Sequence, residues 1–447
     1  MGACCSKEVN FGRYGDRQIA VYENESEQEN NVTNGEYGAS IRLQGFSDFV
    51  SMATLQGKKG INQDAMTIWE EFTGEKEVYF CGVFDGHGPS GHKVARAVRD
   101  QLPVRISAAQ AHIKTAGRNH RDAGASGEDG DVETVNDGDD SETNSVFHTW
   151  KSSLLRAFRE VDNELSIDPS IESYCSGTTA VTVVKQEDHL IIGNLGDSRA
   201  VMCSRGDRGE VIPVQLTLDL KPSLPKEAER VRRCKGRVFA LEQEPHVLRL
   251  WLPDEDSPGL AMTRAFGDFC LKDYGLIPVP QVFFRKLTEQ DEFVVLATDG
   301  IWDVLTNFEV VKIVSSARKR SLAAKFLAVH AVRAWKSRFP SSRTDDIAVV
   351  ILFFKPPPPA KSMSDISHIT ADSLSHLNSS ISQYTHRSIS SSDADDGFDF
   401  RDSMKGKSQD ASSEDWGEGE SLVDTTLNFP RYSGARHRKR SSFKGDL

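Results

Sequence analysis

Three aspartates stand where apolar runs end or begin. Val78, Tyr79, Phe80 and Cys81 lead through VFDGHGPSGH (83–92) to Asp85; Phe293, Val294, Val295, Leu296 and Ala297 lead into Thr298, Asp299 and Gly300; and Asp345 opens TDDIAVVILFF. Each alone has an ordinary explanation, because Asp-Gly is a common turn and an aspartate before a strand is a polar boundary. Asp64 in INQDAM and Asp197 in NLGDSRAV extend the set with acidic groups beside strand-like runs and no basic partner nearby. Hard oxygen donors of this kind suit Mg²⁺ or Mn²⁺, which keep several waters, rather than zinc, which takes Cys and His. Strand ends on one edge of a sheet can converge though they are distant in sequence. One aspartate bridging two such ions could hold them about 3.5–4 Å apart and lower the pKa of a water between them, giving a nucleophile for phosphoryl transfer.

Other routes to hydrolysis lack their residues. No cysteine has an arginine six positions on, which removes the thiolate route to phosphate esters. Gly406, Lys407 and Ser408 look like the end of a Walker A loop, but Arg401 stands where its first glycine must be. G-x-S-x-G is missing, so a serine-hydrolase elbow has no support.

The elements that must position these carboxylates can be read from periodicity. Strand-like runs cover Val78 to Phe84, Ala180 to Val184, Leu190 to Leu195, Phe293 to Ala297 and Ile347 to Phe354. Phe147, Trp150, Leu154, Phe158, Val161 and Leu165 keep a helical period, as do Leu322, Phe326, Val329 and Val332. Helices and strands share one region without the strict alternation of a doubly wound sheet, which indicates a mixed layered domain ending near Phe354.

Around that domain the composition changes. The chain has 447 residues, 38% of them hydrophobic, enough for a sizeable core, and a formal charge of -12 that argues against general nucleic-acid affinity. Its seven cysteines, an odd number with no C-x-x-C pair and no secretory signal ahead of them, fit a reduced compartment. The N-terminus MGACCSKE matches the myristoylation pattern through Gly2 and Ser6 and offers Cys4 and Cys5 for palmitate. Residues 1–45 therefore read as an acylatable flexible arm, and 46–355 as the folded domain. Residues 116–145, rich in Asp and Glu and poor in large apolar side chains, read as a disordered insertion, since calcium-loop spacing is absent. Residues 356–447, a Ser-rich tail with the basic patch RHRKR at 436–440, cannot bury enough apolar area to fold alone.

GKKGINQDAM (57–66), VFDGHGPSGH (83–92), SGTTAV (176–181), NLGDSRAV (194–201), LTLDLKP (216–222), MTRAFGD (262–268), ATDGIWDVL (297–305) and TDDIAVV (344–350) occur in one order across the domain. In these pieces the chain resembles the metal-dependent type 2C serine/threonine protein phosphatases, especially the plant branch with acylatable N-termini. The resemblance implies an α+β fold: a central antiparallel β-sandwich flanked by helices on both faces. It implies that Asp85 bridges two metal ions, that the Gly86 carbonyl binds one, that Asp299 and Asp345 bind the other, and that Asp64 belongs to the same metal site. Asp197 and Asp303 match positions used for a weaker third ion. His87 matches the proposed general acid, and Lys59 stands where many relatives have a phosphate-contacting arginine, without the guanidinium's bidentate fork. Gln63 stands where many have glutamate, which implies looser binding of one ion. Thr178 and Thr179 read as strand and turn structure, and Arg264 and Asp268 as a pair that orders a loop. The implied activity is hydrolysis of phosphoserine and phosphothreonine by a two-metal-activated water in a monomer. The expected location is the cytoplasmic face of a membrane, most readily the plasma membrane, with a cytosolic or nuclear pool; the alternative is a membrane-tethered binding protein with a weakly active or inactive phosphatase fold.

Overall fold

The strand Tyr79–Phe84, β6, shows why these runs carry so little polar alternation. Phe80 and Phe84 lie in a cluster with helical residues, whereas Cys81 and Val83, on the opposite face, lie in a second cluster shared with another sheet. Both faces of the strand are covered, so both alternating sets of side chains must be apolar. The computed structural model describes residues 32–119, 141–242 and 244–356.

Two antiparallel sheets form the centre. The seven-stranded sheet runs β1 (Val32–Asn34), β2 (Ser40–Arg42), β5 (Ala65–Glu70), β6, β9 (Ala180–Gln186), β10 (His189–Leu195) and β17 (Gln281–Lys286). The six-stranded sheet runs β12 (Val211–Gln215), β11 (Arg199–Arg205), β18 (Asp291–Ala297), β19 (Ile347–Phe353), β4 (Val50–Leu55) and β3 (Gly45–Phe46). Their facing sides bury Met52, Met66, Ile68, Val181, Val183, Met202, Val294, Leu296, Val350 and Leu352 against one another. The other set of β19 side chains, Ile347, Val349, Ile351 and Phe353, turns to the outer cluster. This is the packing of a β-sandwich, with each inner face supplied by every second residue.

Helices cover both outer faces. Helix α1 (Gly91–Asn119) and helix α2 (Ser141–Ile167) pack on each other and on the seven-stranded sheet, joining Trp150, Leu154 and Phe158 to Phe80 and Phe84. Helix α6 (Asn307–Ser315) and helix α7 (Ala323–Arg338) cover the six-stranded sheet. Helix α6 starts on a capping box in which the Thr306 hydroxyl accepts from the Glu309 N–H while the Glu309 carboxylate accepts from the Thr306 N–H. The α+β sandwich with helices on both faces is therefore the fold.

Two small sheets complete it. Strands β7 (Gly86–His87), β8 (Gly177–Thr178) and β16 (Phe266–Gly267) form one; β13 (Arg237–Ala240), β14 (Leu248–Trp251) and β15 (Gly259–Leu260) form the other. Helix α3 (Pro225–Arg233) and the short helix α4 (Phe269–Lys272) contribute Val231 and Leu271 to a separate cluster with Leu250 and Leu260.

The boundary expected at residue 46 lies earlier. Residues 32–46 already carry β1, β2 and β3, whose lengths of two or three residues are too short for periodicity to register. At the acidic segment 116–145, α1 reaches Asn119 and α2 begins at Ser141, while 120–140 lies outside the described residues. Gly2, Cys4 and Cys5 and the tail beyond Pro356 also lie outside them.

Candidate active site

Asp85 follows β6 directly and is held there by backbone and hydroxyl contacts from one turn. Its N–H donates to Thr179 Oγ1 at 3.1 Å, and its carbonyl accepts from the Thr179 N–H and the Thr178 hydroxyl, both at 2.9 Å. Thr179 Oγ1 also meets Ser198 Oγ at 2.7 Å, next to Asp197. Thr178 and Thr179 are thus the strand and turn structure expected of them. Gly86 must be glycine: a Cβ there would stand 2.5 Å from the carbonyl oxygens of both Gln63 and Gly91. The close approach brings the Gln63–Asp64 turn against Asp85.

The second group comes from the six-stranded sheet. Thr344 to Asp346 precede β19, and the loop at Gly57 lies against them so tightly that a Cβ on Gly57 would be 2.4 Å from the Thr344 carbonyl oxygen. Asp346 ties that loop down: its carboxylate accepts from the N–H of Gly57 at 2.7 Å and of Gln63 at 2.9 Å. Lys59 Nζ is 2.5 Å from Asp345 Oδ2. Asp64 accepts at 2.8 Å from the Thr298 hydroxyl, which itself accepts from the Ala348 N–H at 3.0 Å. Asp299 opens the one-turn helix α5 (Asp299–Trp302), and Trp335 Nε1 fixes that turn by donating to the Gly300 carbonyl at 2.8 Å.

These contacts bring Asp64, Asp85, Asp197, Asp299, Asp303 and Asp345 into one electrostatic neighbourhood. Burial, then Asp299, Asp64, Asp345 and Asp197, raise the Asp85 pKa well above the usual carboxylate range. Burial followed by Asp346 raises Asp64, and burial followed by Asp299 raises Asp303. Asp299 is pushed up to about 7 by burial, Asp345 and Asp197, against the pull of Lys59 and Lys221. Burial opposes the charge on both lysines, yet the surrounding carboxylates keep their pKa values above the ordinary one. In a partly dry site, carboxylates this close raise the cost of one another's ionisation, and a cation among them removes it.

The structure corrects two sequence readings. Asp197 does have a basic neighbour, Lys221 at 3.8 Å, brought in by the LTLDLKP loop rather than by local sequence. Arg264 and Asp268 do not pair with each other. Arg264 donates to both carboxylate oxygens of Glu227 on α3, with Nη2 at 2.6 Å from Oε1, and to the Val279 carbonyl. Asp268, with the left-handed φ of 49°, turns toward β7 and meets His87 Nε2 at 2.5 Å. Sequence reasoning also missed Asp346 and Lys221 as parts of the site. The doubled aspartate of TDDIAVV was a signal for the first; nothing local marks the second.

Glu187, Asp188 and His189 also place ligand atoms within 4.8 Å of one another, but they sit where β9 turns into β10, at the opposite end of β9 from Thr179. At about 3.3 Å per residue that separates them from Asp85 by the length of the strand.

The donor set fits divalent ions. It is made of oxygen ligands alone, and Asp197 Oδ1 is buried with no hydrogen-bond partner among the described residues. The Gln63 side-chain amide donates to the Gly88 carbonyl at 3.0 Å.

Residues 38–336 match the protein phosphatase 2C family. The probable protein phosphatase 2C 65 of Arabidopsis thaliana is 49% identical over 356 residues, spanning 78% of this chain and 87% of that protein. The probable protein phosphatase 2C 73 of Oryza sativa subsp. japonica is 51% identical over 349 residues, spanning 78% and 79%. Among solved structures, a serine-threonine phosphatase 2C from Toxoplasma gondii superposes with a TM-score of 0.60 at 24% identity, over 71% of this chain and 99% of that one, a likeness of fold. The sandwich, the carboxylates gathered at its edge and these relatives lead to one conclusion: the chain belongs to the protein phosphatase 2C family, the metal-dependent serine/threonine protein phosphatases.

Proposed function

We propose that this protein hydrolyses phosphoserine and phosphothreonine using two Mg²⁺ or Mn²⁺ ions, while held at a membrane by its N-terminus. The observation that carries the site assignment is the convergence of Asp85, Asp299 and Asp345 from three separate strand ends, where Asp299 and Asp345 raise the Asp85 pKa and Asp345 raises that of Asp299. Asp85 and the Gly86 carbonyl would hold one ion and Asp85, Asp299 and Asp345 the other, with Asp64 beside them and Asp197 and Asp303 available to a weaker third. Bound divalent cations supply the positive charge that acidifies a water and neutralises phosphoryl oxygens.

The chain's own residues do the rest. Lys59, anchored 2.5 Å from Asp345, offers a point charge to the substrate phosphate, with less orientation than a guanidinium would give. His87 holds a proton for the leaving oxygen. Asp346 keeps the Lys59 loop and the Asp64 turn in register with β19 through its two backbone contacts. No phosphoenzyme is required, since no cysteine or serine nucleophile is called for.

The test is release of phosphate from a phosphoserine peptide. Activity should require Mn²⁺ or Mg²⁺, vanish with chelator, and fall on the order of 10²–10³-fold in Asp85→Asn, the range for loss of one preorganised electrostatic contact. Metal-independent turnover, or full activity in Asp85→Asn, would sink the mechanism. The same assay separates the enzyme from a non-catalytic binding protein.

Among the described residues no helix is long and apolar enough to cross a membrane. The membrane contact would come from myristate on Gly2 with palmitate on Cys4 or Cys5, two signals together being what stable anchoring needs. The location that follows is the cytoplasmic face of the plasma membrane.

A further inference from the structure

His87 stands one residue beyond Gly86, and its two ring nitrogens have different surroundings. Nε2 is 2.5 Å from Asp268 Oδ2, on a side chain that is 1% exposed. Nδ1 is buried with no hydrogen-bond partner among the described residues.

The fold is built to hold this pair. Gly177 on β8 pairs with His87 on one side and Gly267 on the other. A Cβ on Gly177 would stand 2.1 Å from Asp268 Oδ2 and 2.7 Å from His87 Nε2, so only glycine leaves room for the contact. Asp268 is fixed in turn by its N–H, which donates to the Ser176 carbonyl at 2.9 Å, while the neighbouring Gly267 N–H donates to the Asp162 carboxylate, also at 2.9 Å. Asp162 is itself held by Lys272 at 2.8 Å.

We propose that Asp268 is a positioning residue for the phosphatase reaction: it accepts from the His87 Nε2–H and so makes Nδ1 the nitrogen that delivers the proton to the leaving oxygen. The proposal rests on the reading of His87 as the general acid. A carboxylate on one ring nitrogen selects the tautomer and leaves the other nitrogen to do the chemistry. In the step, the attacking water oxygen forms its bond to phosphorus as the ester P–O bond breaks. The electron pair of that bond goes to the serine or threonine oxygen, which takes the proton from Nδ1, and the ring is left as the Nε2–H tautomer that Asp268 holds. The proton lost by the water passes to solvent and recharges Nδ1, so ester and water yield alcohol and phosphate.

The experiment compares two substrates of different leaving group on the full-length Mn²⁺-loaded enzyme: a phosphoserine peptide, whose alkoxide needs a proton, and p-nitrophenyl phosphate, whose phenolate does not. Asp268→Asn, isosteric and tolerant of the left-handed backbone, should lower kcat about 10- to 100-fold on the peptide and less than about 3-fold on the aryl ester, with KM nearly unchanged. His87→Ala should show the same pattern, and the double variant should be no worse than His87→Ala. Equal losses on both substrates in Asp268→Asn, or losses that multiply in the double variant, would overturn the positioning role. If His87→Ala itself shows no leaving-group dependence, the general-acid reading is what fails. Nitrogen NMR of histidine-labelled wild-type enzyme needs no variant to fold: the neutral His87 ring should be the Nε2–H tautomer, and an Nδ1–H tautomer would refute the assignment.

Discussion

Asp64, Asp85 and Asp299 are costly residues for a fold to keep together. Their folded-state pKa values lie above that of a free aspartate, so in the metal-free protein their ionisation opposes folding. The opposition is absent below about pH 4, where both states are protonated, and grows with pH until Asp299 is fully ionised above about 7. Metal-free protein should therefore lose melting temperature as pH rises from 5.5 to 8, and Mg²⁺ should restore more at pH 8 than at 5.5. Asp85→Asn should melt higher than wild type in chelator at pH 8, by about 2–4 °C for each kcal/mol of repulsion removed. A metal-induced shift as large at pH 5.5 as at pH 8 would contradict this account of why the site is unstable without cations.

Elements matter here mainly through their ends. Asp85 leaves β6, Asp345 and Asp346 precede β19, and Asp299 opens α5 after β18, so rigid strands set the spacing of groups that loops alone would hold poorly. The segment from Met262 to Asp268 has no long strand of its own and borrows rigidity from α3. There Glu227 accepts from Arg264, Arg230 and the Thr263 hydroxyl. Burial opposes the Glu227 charge, but the two arginines outweigh it and hold the pKa down to about 2. The stability this gives is full above the ordinary value of 4.5 and is lost as pH falls through about 2. Glu227→Gln should cost about 3–5 kcal/mol in urea unfolding at pH 7, because Arg264 stays buried without its counter-charge. The gap to wild type should narrow as pH drops below 4.5; a gap that is constant down to pH 3 would show that the carboxylate charge is not what matters.

For the whole molecule, the proposed catalysis and the proposed membrane tether belong to separate parts of the chain. The candidate catalytic groups all lie between Gly57 and Asp346. Acylation at Gly2, Cys4 and Cys5 would act by concentrating the enzyme on a surface rather than by altering the site. Gly2→Ala should shift the protein from the membrane to the soluble fraction of expressing cells while leaving kcat on a phosphoserine peptide unchanged. Unaltered partitioning would remove the tether from the functional picture. A myristoyl chain alone binds reversibly, so Cys4→Ser combined with Cys5→Ser should give an intermediate distribution.

The sequence by itself determined the long strands and the chemistry available at their ends. Runs such as IAVVILF are legible because both faces of β19 are buried, and five aspartates beside such runs name a class of ligand before any geometry is known. It also showed Lys59 and Gln63 as departures, since those are facts of residue type. Only the tertiary structure decided the partners. Lys59 meets Asp345 across 286 positions, Gln63 meets Asp346 across 283, and Asp268 meets His87 across 181. Arg264 and Asp268 lie four residues apart and look like a pair, yet a positive-φ turn sends one side chain to α3 and the other to β7. Local sequence sets propensity and face; sheet register and close glycine contacts, at Gly57, Gly86 and Gly177, set which charged groups meet, and those depend on the whole chain being folded at once.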